Sequence, residues 1–397
     1  MSINTQVSRL DLTKIRQLEH DHQPALYAKR EIALVRGEGS YLYDSEGTRY
    51  LDAMSNYGIA ILGHADPEFA AAMSDQLQTL TTGHQSFYSD VRADLLRALT
   101  EVAPTDLGRF FLSNSGAEAI EAGLKFAIAA TGRHRIVAAK RAYHGRTLGA
   151  LAATADPKYR TPFEPLSPHV VHVPFNDIDA LAAAIDDETA AVILEPIQGE
   201  AGIFPADDDY LRAARGLTAE HGALLIADEV QTGFRVGAPF AISQAAVTPD
   251  ILCTAKGLGN GFPIGLTMTT ESVAKAIPGG AHGTTFGGNP LACRAALTTL
   301  AILRDRDLFA RSAALGATLM ERITDLESPK IRQVRGRGFM IGIELKERVT
   351  PTLRALQARR VLALAAGPVT LRLLPPLIWG EEQIEELLEA LADTLSA

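Results

Sequence analysis

Two short segments carry residues whose types and spacing suit one chemistry. Ala223-Leu-Leu-Ile-Ala-Asp-Glu-Val-Gln231 reads as a buried strand of five apolar residues that delivers Asp228 to its carboxyl end, where open α/β sheets place their ligand chemistry. Thr254-Ala-Lys-Gly-Leu-Gly-Asn-Gly-Phe-Pro-Ile-Gly265 sets Lys256 on a turn rich in glycine, where backbone can close tightly around whatever the amine reaches. Alone, each residue is ordinary: most lysines beside a glycine turn are solvated, and most strand-end aspartates cap a turn. Together they supply an amine that condenses with an aldehyde and a carboxylate that holds a pyridinium nitrogen protonated. Those are the two groups that pyridoxal phosphate requires of its protein.

The elements needed to position such a pair are legible. Ser115-Gly-Ala-Glu118 is a capping box that opens a helix over 115–131, with an apolar stripe of Ile120, Leu124, Ala127 and Ile128. Free N–H groups and the positive end of the helix dipole at such a start suit a phosphate. Helix-like segments at 67–80, 91–102 and 208–221 alternate with strand-like 110–112, 135–139, 191–194 and 223–227, which predicts a largely parallel sheet covered by helices on both faces. Before it, residues 1–50 mix a charged helical start with strand pieces at Ile32–Val35 and Tyr41–Tyr43. After about residue 300 come a helix, strands at Phe339–Leu345 and Val369–Leu374, and a closing helix with Ile384, Leu387, Leu388, Leu391 and Leu395 on one face.

Composition narrows the function classes. The chain has 397 residues, 47% hydrophobic and 21% charged, enough for a large core and more than one folding unit. Two cysteines, Cys253 and Cys293, argue against a disulfide framework and for a reducing, cytoplasmic setting. The polar start Met1–Arg9 lacks a signal-peptide apolar run, and no apolar stretch is long enough to span a bilayer. A net charge of −9 argues against nucleic acid or an anionic membrane as partner. No metal-ligand spacing is present, so no metal is expected. Gly257-Leu-Gly-Asn-Gly261 lacks the full dinucleotide-loop frame, which disfavours a nicotinamide-dependent dehydrogenase, and no G-x-S-x-G elbow supports a hydrolase.

The local sequences around Asp228 and Lys256 resemble the signature of class III aminotransferases, enzymes of pyridoxal-phosphate fold type I. Ser113–Ala119, Tyr143–Gly149, Glu195–Gly202, His282–Pro290, Arg335–Gly338 and Leu371–Pro376 follow in the family's order, so the resemblance spans roughly residues 25–390. It is nearest to the acetylornithine aminotransferase group, which includes enzymes acting on lysine attached to a carrier protein. The resemblance implies an α/β fold with a mostly parallel seven-stranded sheet in a large pyridoxal-phosphate-binding domain (61–300). A smaller α+β domain (301–397) would be joined by the N-terminal segment (1–60).

By the same resemblance, Lys256 attaches the cofactor and then shuttles the proton, and Asp228 holds the ring nitrogen. Ser115, Gly116 and Ala117 receive the phosphate, Tyr143 stacks on the ring, and Gln231 reaches the phenolic oxygen. Ile120 stands where the family has asparagine and is not expected to reach the cofactor. Thr285 would cross to the phosphate of a neighbouring subunit, giving a homodimer with shared active sites, with Thr284 beside it at the substrate. Arg146 and Arg372 would pair substrate carboxylates through planar guanidinium forks. Arg372 lies among Leu371, Leu373 and Leu374, where an unpaired charge is costly, and Glu200 would mask it when the donor amine is far from its carboxylate. Gln231–Gly237 is one residue shorter than the family's run, so Arg235 receives no role.

The implied reaction moves the terminal amine of an N-acylated diamino acid to 2-oxoglutarate, in arginine or lysine biosynthesis. An acidic amino-group carrier protein is a further partner the resemblance admits. Ornithine or 4-aminobutyrate transamination and a semialdehyde aminomutase are the rivals within the family. A catalytically silent binding member of the fold would be expected to lack Asp228 or Lys256, and both are present.

Overall fold

The computed structural model describes residues 10–396, so the polar start at residues 1–9 lies outside the described residues. A seven-stranded sheet forms the centre. Its strands run, across the sheet, Arg109–Ser113, Gly265–Thr269, Ile251–Thr254, Leu224–Asp228, Thr189–Leu194, Arg135–Ala139 and His169–Val173. All neighbours pair in parallel except Gly265–Thr269, which is antiparallel to both of its partners. This is the α/β fold with the mostly parallel seven-stranded sheet that the sequence implies.

Both faces of the sheet are buried, and successive residues divide between them with period two. Ile136, Ala138, Ile193, Ile226 and Ile251 pack against Ala119, Ile120, Leu124 and Ala127 of the helix Gly116–Thr131. Val137, Val192, Leu225, Ala227 and Leu252 face the opposite core, which holds Tyr210, Leu211 and Ala214 of the helix Asp208–Glu220. Thr189–Leu194 is buried at every position, as expected of a strand covered on both sides.

Three strands of this sheet were not expected from the sequence. His169–Val173 is an edge strand between Pro168 and Pro174, and only its last residue is buried. Ile251–Thr254 and Gly265–Thr269 are four and five residues long and merge into the glycine turn around Lys256. Both abut that glycine turn, which interrupts the apolar pattern that marks the other strands.

The C-terminal region builds an antiparallel sheet in the order Ile331–Arg337, Met340–Leu345, Thr370–Leu373 and Leu364–Ala366. A third sheet joins the two ends of the chain: Leu34–Glu38, Tyr41–Asp44 and Arg49–Asp52 form a meander, and Val361–Leu362 lies parallel to Arg49–Asp52. The closing helix Glu381–Leu395 buries Ile384, Leu387, Leu388, Leu391 and Leu395, the stripe read from its spacing. Cys253 and Cys293 are free and buried. Among the described residues no helix is long and apolar enough to cross a membrane.

The hairpin turn between Ile331–Arg337 and Met340–Leu345 is packed against the helix Leu308–Thr324. A Cβ on Gly316 of that helix would stand 2.2 Å from the carbonyl oxygen of Gly338. Helix propensity alone favours Gly316→Ala by about 1 kcal/mol, whereas overpacking against backbone costs about 1–3 kcal/mol. Gly316→Ala should therefore unfold at a lower urea concentration than the native chain. An unchanged or raised midpoint would show that this contact yields freely.

Candidate active site

Lys256 and Asp228 meet at the carboxyl ends of the central strands. Ile226–Asp228 pairs with Ile251–Cys253, and the Cys253 carbonyl accepts from Glu229 N at 2.8 Å, so the two strand ends are in register. Lys256 then begins a four-residue 3₁₀ turn with φ +40°. A lysine there occupies a sparsely populated conformation that survives because the surroundings hold it. Asn260 does part of this, accepting from Leu62 N at 2.9 Å, and Gly257 lies so close to Ile61 that a Cβ would meet it at 3.0 Å.

A cavity of about 410 Å³ opens between these strand ends and the start of the helix Gly116–Thr131. Lys256, Asp228, Ser115, Gly116, Ala117 and Tyr143 all line it. Glu200, Gln231 and Arg146 line it too, so ten of the twelve residues singled out in the sequence lie at or directly behind one cavity once Arg372 is included. Ser115 caps the helix, accepting from Glu118 N at 3.2 Å, while Glu118 accepts from Asn114 N at 2.8 Å. At Gly116 any Cβ would strike Val230 at 2.6 Å, so this approach to the helix N-terminus requires glycine.

The exceptions are Thr284 and Thr285. They line a neighbouring concavity with His282 and Phe286, on the far side of Asn114, and Thr285 is exposed. Thr284 is taken up locally, its hydroxyl accepting from Asn114 Nδ2 at 3.3 Å and Gly287 N at 3.1 Å.

The charges around the cavity are interlocked. Asp228 Oδ1 accepts from Val230 N at 3.0 Å, and Oδ2 lies 2.7 Å from Nδ1 of His144. Burial opposes protonation of that imidazole, but the hydrogen bond and charge of Asp228, with Glu195 behind it, raise its pKa above the ordinary value. Glu195, also buried, accepts from the N–H groups of Tyr143 and Gly199, and burial pushes its carboxyl up to about 7. Burial pulls the Lys256 amine below its ordinary value; Glu200 and Asp228 act against this, and Arg372 with it.

Arg372 sits in the strand Thr370–Leu373 with no exposure to solvent. Its Nη1 donates to Glu200 Oε1 at 2.5 Å and to Gln231 Oε1 at 3.1 Å, and Nη2 donates to the Ala365 carbonyl at 3.2 Å. Glu200 stands between this guanidinium and the cavity. Burial opposes its ionisation, but the charge and hydrogen bond of Arg372, joined by Lys256 and Gln231, hold the carboxyl below the ordinary glutamate value. Gln231 also donates to Glu200 at 3.4 Å, so its amide serves the masked arginine as well as the cavity wall. Arg146 is the opposite case: exposed at the mouth, it stacks on Tyr159 with Cζ 3.7 Å from the ring centroid and donates to the Tyr143 hydroxyl at 3.2 Å.

Two residues at or behind the site, His144 and Arg235, were given no role by the sequence alone. His144 follows Tyr143 directly, yet nothing in its spacing marks it as the partner of Asp228. Arg235, on the shortened loop, is fully buried; it donates to the Phe339 carbonyl at 3.0 Å and to Ser55 Oγ at 3.3 Å. Burial, opposed by Asp52 and aided by Arg372, pulls its guanidinium down to about 9. It packs beneath the left-handed turn Ser55–Gly58, whose Tyr57 ring centroid lies 5.4 Å from Arg372 Cζ.

Similarity to known proteins agrees with this arrangement. The family model "Aminotransferase class-III" matches residues 24–395. The chain is 43% identical over 382 residues to a [LysW]-aminoadipate semialdehyde transaminase of Deinococcus radiodurans, covering 95% of this chain and 89% of that one. It is 41% identical over 385 residues to an acetylornithine aminotransferase of Methanopyrus kandleri, covering 96% and 99%. Among solved structures, an ornithine aminotransferase from Toxoplasma gondii superposes with a TM-score of 0.92 at 29% identity, over 97% of this chain and 94% of that one. An acetylornithine aminotransferase from Elizabethkingia anophelis gives 0.86 at 31% identity, over 97% and 98%. With a family match over nearly its whole length and a strand-end lysine–aspartate pair at one cavity, the chain belongs to the class III aminotransferases.

Proposed function

We propose that this protein transfers the terminal amino group of an N-acylated diamino acid, N-acetylornithine or a carrier-linked lysine, to 2-oxoglutarate, leaving a semialdehyde and glutamate. The observation that carries this reading is the unequal pair of arginines. Arg146 is open at the cavity mouth, and Arg372 is buried behind Glu200. A donor whose amine is distant from its carboxylate needs one free cation far from the reacting carbon and none near it. A dicarboxylate acceptor needs both. Two relatives similar over most of the chain are named for these two donor classes, which supports the choice.

The donor set fits pyridoxal phosphate: a half-buried lysine, a strand-end aspartate and a capped helix start with bare backbone at Gly116. When bound, this cofactor supplies an aldehyde that condenses with amines and a pyridinium ring that withdraws electrons from the substrate carbon. Asp228, fixed by His144, would hold the ring nitrogen protonated. The N–H groups of Gly116 and Ala117 would receive the phosphate, and Tyr143 would lie along the ring. Lys256, with an amine whose pKa burial lowers, is suited to give up its attachment to the incoming substrate amine and then carry the proton.

Thr285 would serve the phosphate of a second subunit in a homodimer, a reading supported by its exposure and its position outside the cavity of its own chain. At the mouth, Lys158 Nζ lies 4.4 Å from the Tyr159 ring that Arg146 also stacks on, so two cations would meet an acidic carrier.

Three outcomes test this reading. Borohydride should fix the cofactor to Lys256, and Lys256→Ala should lose at least ~10³-fold in transamination, since proton transfer alone contributes about 10²–10⁴-fold; a colourless native enzyme of full activity would refute it. In single-turnover kinetics, Arg372→Ala should slow the 2-oxoglutarate half-reaction about 10- to 100-fold while sparing the distal-amine half, because a lost charge-assisted hydrogen bond costs about 1.5–3 kcal/mol. Equal losses in both halves would remove the switch. Glu200 has a depressed pKa, so its pairing is present above the ordinary glutamate range and is lost as pH falls through the lowered value. The preference for distal over α-amine donors should collapse on that acidic limb and stay flat above it.

A further inference from the structure

The Arg335-Gly-Arg-Gly338 segment, prominent in the sequence, has its first side chain outside the cavity and only 9% exposed. Arg335 Nε donates to the carbonyls of Gly202 and Ile203, both at 3.0 Å, and Nη2 donates to Gly202 O at 2.7 Å and Thr370 Oγ1 at 3.4 Å. Nη1 pairs with Glu344 at 2.5 Å and donates to Gln333 Oε1 at 3.2 Å. The Phe204 ring lies against the guanidinium, its centroid 3.9 Å from Cζ.

Those carbonyls close the turn Gly199–Gly202, from which Glu200 projects. Its backbone is unusual: Gly202 has φ +134°, and Ile203 has φ +56°. A β-branched residue is sterically disfavoured in the left-handed region and stays there only where its surroundings hold it. A Cβ on Gly202 would stand 2.9 Å from Phe204 and 3.1 Å from Arg335 Nη2, so the guanidinium closes on bare backbone. Thr370 lies two residues before Arg372 in the same strand. One side chain thus touches both the turn that carries Glu200 and the strand that carries Arg372.

We propose that Arg335 is a positioning residue for the Glu200–Arg372 pair: by fixing the Glu200 turn against the Arg372 strand, it sets how fully Glu200 covers Arg372 and so how well distal-amine donors are preferred over α-amine donors. It touches no reacting atom, and the inference rests on the masking role assigned to Glu200. Lysine at this position would keep the charge beside Glu344 but cannot direct a planar fork at two carbonyls.

The test is the ratio of single-turnover rates of the holoenzyme with N-acetylornithine and with glutamate, in native protein, Arg335→Lys, Glu200→Ala and the double variant. Arg335→Lys should lower the ratio about tenfold, the scale of loosening a set of charge-assisted hydrogen bonds. It should add nothing further in the Glu200→Ala background, because the two act in series. Gly202→Ala, which pushes the guanidinium off the turn, should lower the same ratio. If Arg335→Lys slows both donors equally while Glu200→Ala shifts the ratio, Arg335 is only a structural brace and the proposal fails with masking intact. If Glu200→Ala leaves the ratio unchanged, the masking reading fails and this proposal falls with it.

Discussion

Arg372 is a guanidinium with no access to water, and its countercharge is carried by a turn rather than by the strand that bears it. Stripping one partner from a buried pair costs about 3–5 kcal/mol. Glu200 would therefore stay in place until another carboxylate arrived, and a dicarboxylate substrate would be such a replacement. The proposed discrimination between donors would follow from this constraint. With Glu200 in place the inner cavity presents no free guanidinium, and Arg146 at the mouth would be the one left to take a donor's carboxylate. Much of the C-terminal sheet serves this pair: Gly342 and Leu364 flank Arg372 in register, and the Ala365 carbonyl takes its other nitrogen.

The opposite wall of the cavity solves a different electrostatic problem. Glu195 lies in a dry environment, where burial, helped by the charge of Asp228, raises its pKa. His144 bonds Asp228 directly at 2.7 Å; its charge and the N–H groups of Tyr143 and Gly199 offset only part of the burial of Glu195, which is pushed to about 7. The direct hydrogen bond fixes the carboxylate at the strand end, where a ring nitrogen would need it. Lys256, reached by the fields of Glu200, Asp228 and Arg372, is coupled to both walls.

How much of this was legible in the sequence depended on whether a residue's role is written in its own neighbourhood. Asp228 sits at the end of an apolar run and Ser115 opens a capping box, so their positions follow from local pattern. The closing helix follows from its stripe in the same way. His169–Val173 and Gly265–Thr269 carry no such signal, because flanking prolines and a glycine turn break the period. Residues that act across long sequence separations were the least visible. Arg235 reaches Ser55 and Phe339, 180 and 104 positions away, and Arg335 reaches Gly202 at 133. A one-residue shortening of the loop and a cluster of glycines marked these arginines as unusual, but only the fold supplies their partners.

The most direct test of the account is a crystal structure of the holoenzyme soaked with glutarate, which has both carboxylates of 2-oxoglutarate and no keto group to react. One glutarate carboxylate should lie on Arg372 and the other on Arg146, with the Glu200 side chain rotated away. Glutarate bound with Glu200 still on Arg372 would contradict the claim that the buried arginine exchanges its partner for substrate.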